Sequence, residues 1–115
     1  MGRLSTHVLD TARGRPAAGI PVALHRLGPD GARSLVARAL TNRDGRTDAP
    51  LLAGDAFVPG TYELTFEVGR YFDDMAPGAP FLDSVPLRVT LGEADGHYHV
   101  PLLVSPWSYS TYRGS

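Results

Sequence analysis

A chain of 115 residues, with 43% hydrophobic and 20% charged residues, has the size of one ordinary domain, 1–115, and the composition of a folded globular protein. A formal net charge of -1, from 11 basic and 12 acidic side chains, supplies no field to gather a phosphate backbone or an anionic membrane, so no nucleic acid and no membrane is expected as a partner. The absence of cysteine excludes disulfides, thiolate metal sites and a cysteine nucleophile; with no signal-like apolar stretch after Met1 and no run long enough to cross a bilayer, the chain is expected in the cytoplasm.

Thirteen glycines and ten prolines divide the chain into short runs rich in Val, Leu, Thr and Tyr, the cadence of an all-β sandwich. The first predicted strand covers 4–10. Alternation puts Thr6 and Val8 on one face, suited to a core, and Ser5, His7 and Leu9 on the other, so His7 faces a surface that is wet or paired with another subunit. Arg13-Gly14-Arg15-Pro16 reads as a turn, and strands follow at 20–27 and 34–41, separated by the turn at Pro29-Asp30-Gly31. His25, mid-strand, is expected on a solvent face. Asp44-Gly45 gives a hairpin signal, and Arg46 directly after it is a long cation leaving a strand end. A short extra strand is expected near 47–51.

Strand 61–68 leads into the one break in the pattern. Tyr71, Phe72 and Met75 share a helical face, so a short helix is predicted over 69–75, ended by Pro77-Gly78, with Asp73 and Asp74 exposed. Strands return at 85–91, 98–104 and 108–113, with a turn at Asp95-Gly96. His97 and His99 stand at period two, hence on one face with Pro101 and Leu103. Trp107 and Tyr109 alternate with Ser108 and Ser110, which suits packing in a core or an interface.

Two chemistries suit these residues. His7, His97 and His99 can be read as three zinc ligands with water in the fourth position, although Asp95 is the only nearby carboxylate to support them. Alternatively, a histidine acts as general base toward water while Arg46 stabilises an oxyanion or orients a polar substrate, with no metal and no cofactor. Spacing does not separate His97 from His99.

The segments Leu4-Ser5-Thr6-His7-Val8-Leu9-Asp10, Gly14-Arg15-Pro16-Ala17 and His97-Tyr98-His99-Val100-Pro101 resemble the opening and the penultimate strand of transthyretin-like proteins. The terminal Tyr112-Arg113-Gly114-Ser115 resembles the mark of the 5-hydroxyisourate hydrolases within that family, and the match runs in order from His7 to Ser115. What the resemblance implies is a sandwich of two four-stranded sheets with one short helix, assembled as a homotetramer whose sites lie in channels at the dimer–dimer interface. It implies hydrolysis of the lactam of 5-hydroxyisourate in urate breakdown to allantoin. Under the resemblance His7, Arg46 and His99 take the catalytic positions, Tyr112, Arg113, Gly114 and Ser115 line and close the site, and His97 has no catalytic role. The stretch 77–86 departs from many relatives. A ligand carrier is the alternative, and it predicts an apolar channel where these residues predict an ionisable one.

Overall fold

In the structure, a computed structural model that describes residues 1–114, the chain forms nine strands among the described residues. They are β1 (Arg3–Asp10), β2 (Arg15–Pro16), β3 (Pro21–Leu27), β4 (Arg33–Leu40), β5 (Leu52–Ala53), β6 (Gly60–Glu67), β7 (Ser84–Leu91), β8 (His97–Val104) and β9 (Tyr109–Thr111). One sheet runs β2-β1-β8-β9, with β5 also pairing β1, and the other runs β4-β3-β6-β7. The alternation of β1 is realised as read: Leu4, Thr6, Val8 and Asp10 are buried, while Ser5, His7 and Leu9 lie half-buried on the outer face.

The pairing of β1 with β8 is parallel and brings the two ends of the sequence side by side. Its register sets Arg3 opposite His97, Ser5 opposite His99 and His7 opposite Pro101. Between the sheets lie Leu24, Tyr62, Leu64, Phe66, Phe72, Leu91 and Leu102. Each such side chain removed from water contributes about 1.5–3 kcal/mol before conformational entropy is counted. Two buried hydroxyls are partnered: Thr6 Oγ1 donates to the Val100 carbonyl at 2.7 Å, and Thr41 Oγ1 donates to the Ala17 carbonyl at 2.7 Å while accepting from Ile20 N–H at 2.9 Å.

Several expectations are corrected in detail. The sheets hold five and four strands instead of four and four, because Arg15–Pro16, within the segment read as a turn, pairs with Leu9 and Asp10, and the short extra strand falls at Leu52–Ala53 instead of 47–51. Of the predicted turns, Pro29-Asp30-Gly31 joins hydrogen-bonded neighbours, β3 and β4. Asp44-Gly45 and Asp95-Gly96 instead carry the chain from one sheet to the other. Trp107 and Tyr109 are exposed, which removes the core reading for them.

No helix forms over 69–75. Phe72 N–H donates to the Val68 carbonyl at 3.2 Å and Ala76 N–H to the Phe72 carbonyl at 3.0 Å, but Asp73 N–H and Met75 N–H use carbonyls three residues back, so the segment is a series of turns. Seven residues do not offset the cost of helix nucleation, and the side chains of this segment are taken up elsewhere: Phe72 is buried and Tyr71 reaches Asp10. The only helical element among the described residues is a 3-10 turn at Gly54–Ala56, and none is long and apolar enough to cross a membrane.

The Asp10 carboxylate ties this segment to β1. It accepts from the Tyr71 hydroxyl at 2.8 Å, from Arg13 N–H at 2.9 Å and from the Arg13 guanidinium at 3.1 Å, while Arg13 also pairs with Asp74. Burial opposes ionisation of Asp10, yet these hydrogen bonds and the Arg13 charge together hold its carboxyl below the ordinary value of 3.8. A carboxyl whose folded pKa is depressed contributes stability above its unfolded value and loses it as pH falls through the folded value. Asp10→Asn is therefore expected to cost about 1–3 kcal/mol at neutral pH. Urea unfolding checks it: the midpoint falls, and the gap to the parent protein narrows as the pH is taken below 3.8.

Candidate active site

The outer face of the β1–β8 pair carries every sequence-nominated imidazole except His25. His7 and His99 are diagonal neighbours across the ladder, with ring centroids 6.5 Å apart. Arg3, Ser5, Arg46, His97, Tyr98 and His99 line one open depression beside them. A larger and more apolar depression involves Pro21, Ala23, Leu40 and Pro50; its ionisable residues are Arg38, Asp48 and Glu67, and it lacks a group that titrates near neutrality. The histidine-bearing depression is the one suited to proton transfer.

Arg46 arrives through a turn built by Asn42. The Asn42 Oδ1 accepts from Asp44 N–H at 2.9 Å and from Arg46 N–H at 3.2 Å, and Asn42 N–H donates to the Arg46 carbonyl at 2.7 Å. The closed turn docks on β1: Val8 N–H donates to the Gly45 carbonyl at 2.7 Å, and Arg46 forms an antiparallel bridge to His7. Gly45 has φ +76, and a Cβ there would lie 2.3 Å from the Val8 carbonyl oxygen, so only glycine permits the approach.

Each of the two facing imidazoles is held by one nitrogen. His7 Nε2–H donates to the Asp44 carbonyl at 2.8 Å; since a carbonyl only accepts, neutral His7 carries its lone pair on Nδ1. His99 Nδ1 bonds the Ser5 hydroxyl at 2.8 Å, and Nε2 has no hydrogen bond among the described residues. Burial lowers the His99 pKa, and the charges of Arg46 and His7 lower it further, which favours the neutral ring. His97 is exposed and its ring has no hydrogen bond among the described residues.

The terminal segment meets the site through its backbone. Gly114 N–H donates to the His99 carbonyl at 2.7 Å, and a Cβ at 114 would stand 2.9 Å from His99 Cδ2. The Arg113 guanidinium does not enter the depression: it stacks 4.2 Å from the ring centroid of Tyr98, which alternates with the two histidines. Tyr112 is 61% exposed. Ser115 lies outside the described residues.

The zinc reading is not supported by the arrangement, since no three His, Asp or Glu side chains among the described residues are grouped to hold a metal ion. His25 is half-buried on the other sheet beside Arg33, and Asp73 and Asp74 are exposed, as expected. The sequence reading missed Ser5 and Asn42. The signal for Asn42 was present, an Asn two residues ahead of Asp-Gly where an Asx turn forms. For Ser5 the signal lay in the register between two distant strands.

Comparison with known proteins gives one answer. Residues 4–114 match the family described as Transthyretin: HIUase/Transthyretin family. The chain is 60% identical over 114 residues to the 5-hydroxyisourate hydrolase of Deinococcus radiodurans, covering 97% of this chain and 95% of that protein. It superposes on the structure of Klebsiella pneumoniae 5-hydroxyisourate hydrolase with a TM-score of 0.82 at 37% identity, covering 100% of both chains. On the crystal structure of transthyretin from Sparus aurata the TM-score is 0.87 at 26% identity, covering 97% of this chain and 96% of that one.

Two outcomes check the geometry. Gly45→Ala combines a left-handed backbone with a clash on β1, so it is expected to lower thermal stability by more than the roughly 1 kcal/mol that the backbone conformation alone costs. Arg46→Gln removes one of the charges acting on His99, so an NMR titration of the His99 ring is expected to show its pKa rising toward the ordinary imidazole value.

Proposed function

Because the chain belongs to the HIUase/Transthyretin family, we propose that it is a hydrolase that opens the lactam of 5-hydroxyisourate to 2-oxo-4-hydroxy-4-carboxy-5-ureidoimidazoline, with His7, Arg46 and His99 as its catalytic residues. The observation that carries this reading is the meeting of two imidazoles, each with one nitrogen unbonded among the described residues, and a guanidinium on one open face. Such a face is ionisable, which suits hydrolysis and not the storage of an apolar ligand.

The reaction adds water across a C–N bond. A free imidazole nitrogen takes a proton as the water oxygen bonds to the lactam carbonyl carbon; the C–N bond then breaks and the departing ring nitrogen takes a proton back. Arg46 offers a planar set of N–H donors to the carbonyl oxygen as it gains negative charge, and these donors need not reorganise during the step. Holding water and carbonyl at contact distance supplies the remainder of the advantage. This chemistry asks for no metal or cofactor.

The terminal segment 112–115 is assigned to close the site and contact the substrate, a role supported by the bond from Gly114 to His99. Arg113, stacked on Tyr98, fits an anchor for that segment. The assembly assigned is a homotetramer with sites at the dimer–dimer interface, which would cover the exposed Trp107, Tyr109 and Tyr112. The assigned setting is urate breakdown in the cytoplasm.

Following the absorbance of freshly generated 5-hydroxyisourate tests the activity, and decay no faster than the spontaneous rate ends the proposal. His7→Ala and His99→Ala are each expected to lower turnover roughly 100- to 10,000-fold with the fold intact; full turnover in both removes them from the mechanism. Since the His99 pKa is depressed, the acid limb of the kcat profile is expected below the ordinary imidazole value.

A further inference from the structure

We propose that Ser5 is a positioning residue of the hydrolytic site, its hydroxyl holding His99 by Nδ1 so that Nε2 is the nitrogen presented to water and substrate. The inference rests on the assignment of His99 to the reaction. Ser5 stands on the outer face of β1, directly opposite His99 in the parallel ladder, and its Oγ lies 2.8 Å from His99 Nδ1. The two residues are 94 positions apart in the chain, so only the β1–β8 register brings them together.

A hydroxyl suits this task because it both donates and accepts. It gives its proton to Nδ1 when that nitrogen carries a lone pair and accepts from Nδ1–H when the ring is a cation, so the contact survives a change of charge on His99. In either state Nδ1 is engaged. The last torsion of a histidine side chain has two broad wells that exchange each ring nitrogen with a ring carbon, Nδ1 with Cδ2 and Nε2 with Cε1. The hydrogen bond selects one well.

The neighbouring rings show what the ladder partner decides. His97 shares the strand face of His99, but it stands opposite Arg3, and its ring has no hydrogen bond among the described residues. His7 stands opposite Pro101, which has no donor, and its ring turns to the Asp44 carbonyl through Nε2. His7 and His99 are thus held by opposite nitrogens, and the other nitrogen of each has no hydrogen bond among the described residues.

Ser5→Ala and Ser5→Thr test the proposal, with circular dichroism confirming the fold of both. Loss of a partner that orients a functional imidazole is expected to lower kcat roughly 10- to 100-fold, with KM little changed, because the ring's orientation matters more in the transition state than in binding. Threonine keeps the hydroxyl and tolerates a strand, so Ser5→Thr is expected to restore most of kcat. In the unliganded protein, nitrogen NMR of the labelled histidines is expected to show the His99 ring shifts moving in Ser5→Ala and returning in Ser5→Thr. Parental kcat in Ser5→Ala, equal impairment of both variants, or His99 shifts indifferent to Ser5→Ala would each overturn it. If His99→Ala leaves turnover intact, the assignment of His99 to the reaction fails instead, while the NMR comparison still judges the contact between Ser5 and His99.

Discussion

In the parallel ladder between β1 and β8, eight residues of one strand face eight of the other, and this single register sets which side chains meet on both faces at once. Leu4, Thr6 and Val8 enter the core beside Tyr98, Val100 and Leu102, so the same alternation turns Ser5 and His7 outward beside His99. A slip by one residue would bring His7 inward and expose Val8, an exchange opposed by every buried side chain of both strands. The geometry of the outer face is thus enforced by the hydrophobic inner face, and outer side chains are free to be chosen for chemistry.

Two backbone approaches complete what the ladder begins. The turn at Asn42 to Arg46 pairs with β1 at His7 and the segment reaching Gly114 pairs with β8 at His99, each by an antiparallel bridge. In each case a glycine stands where a side chain would collide, with the Val8 carbonyl at 45 and with the His99 ring at 114. Loops are ordinarily the mobile part of a β-sandwich. Here main-chain hydrogen bonds hold them, so Arg46 is presented from a turn fixed to the strand that carries His7.

Much of this was legible in the sequence, and the part that was not has a common cause. Period-two alternation placed Thr6 and Val8 inward and His7 outward, and set His97 and His99 on one face, because a strand's faces are a local property. The seven principal strands fell close to their observed spans for the same reason. What escaped was pairing: the short strand at Arg15–Pro16 exists only because β1 lies beside it, and Ser5 matters only because His99 is its ladder partner. The segment 69–75 has a helical spacing of apolar residues, but Tyr71 and Phe72 are drawn to Asp10 and to the core, and tertiary contacts outweigh a weak local preference. Spacing does not separate His99 from His97; in the ladder His99 stands opposite Ser5 and bonds its hydroxyl, whereas His97 stands opposite Arg3.

The charge of Arg46 acts on the site in two ways. Beside His99 it adds to burial in lowering the ring's pKa, which favours the neutral ring and makes it a somewhat weaker base. The same repulsion makes the protonated ring a stronger acid, so in the proposed hydrolysis a proton taken from water is more readily returned to the departing nitrogen. A base and an acid are needed in sequence within one turnover. In the proposed hydrolysis, the cation assigned to stabilise the developing oxyanion therefore also lowers the proton affinity of the imidazole beside it, and the fixed turn that carries Arg46 couples the two effects.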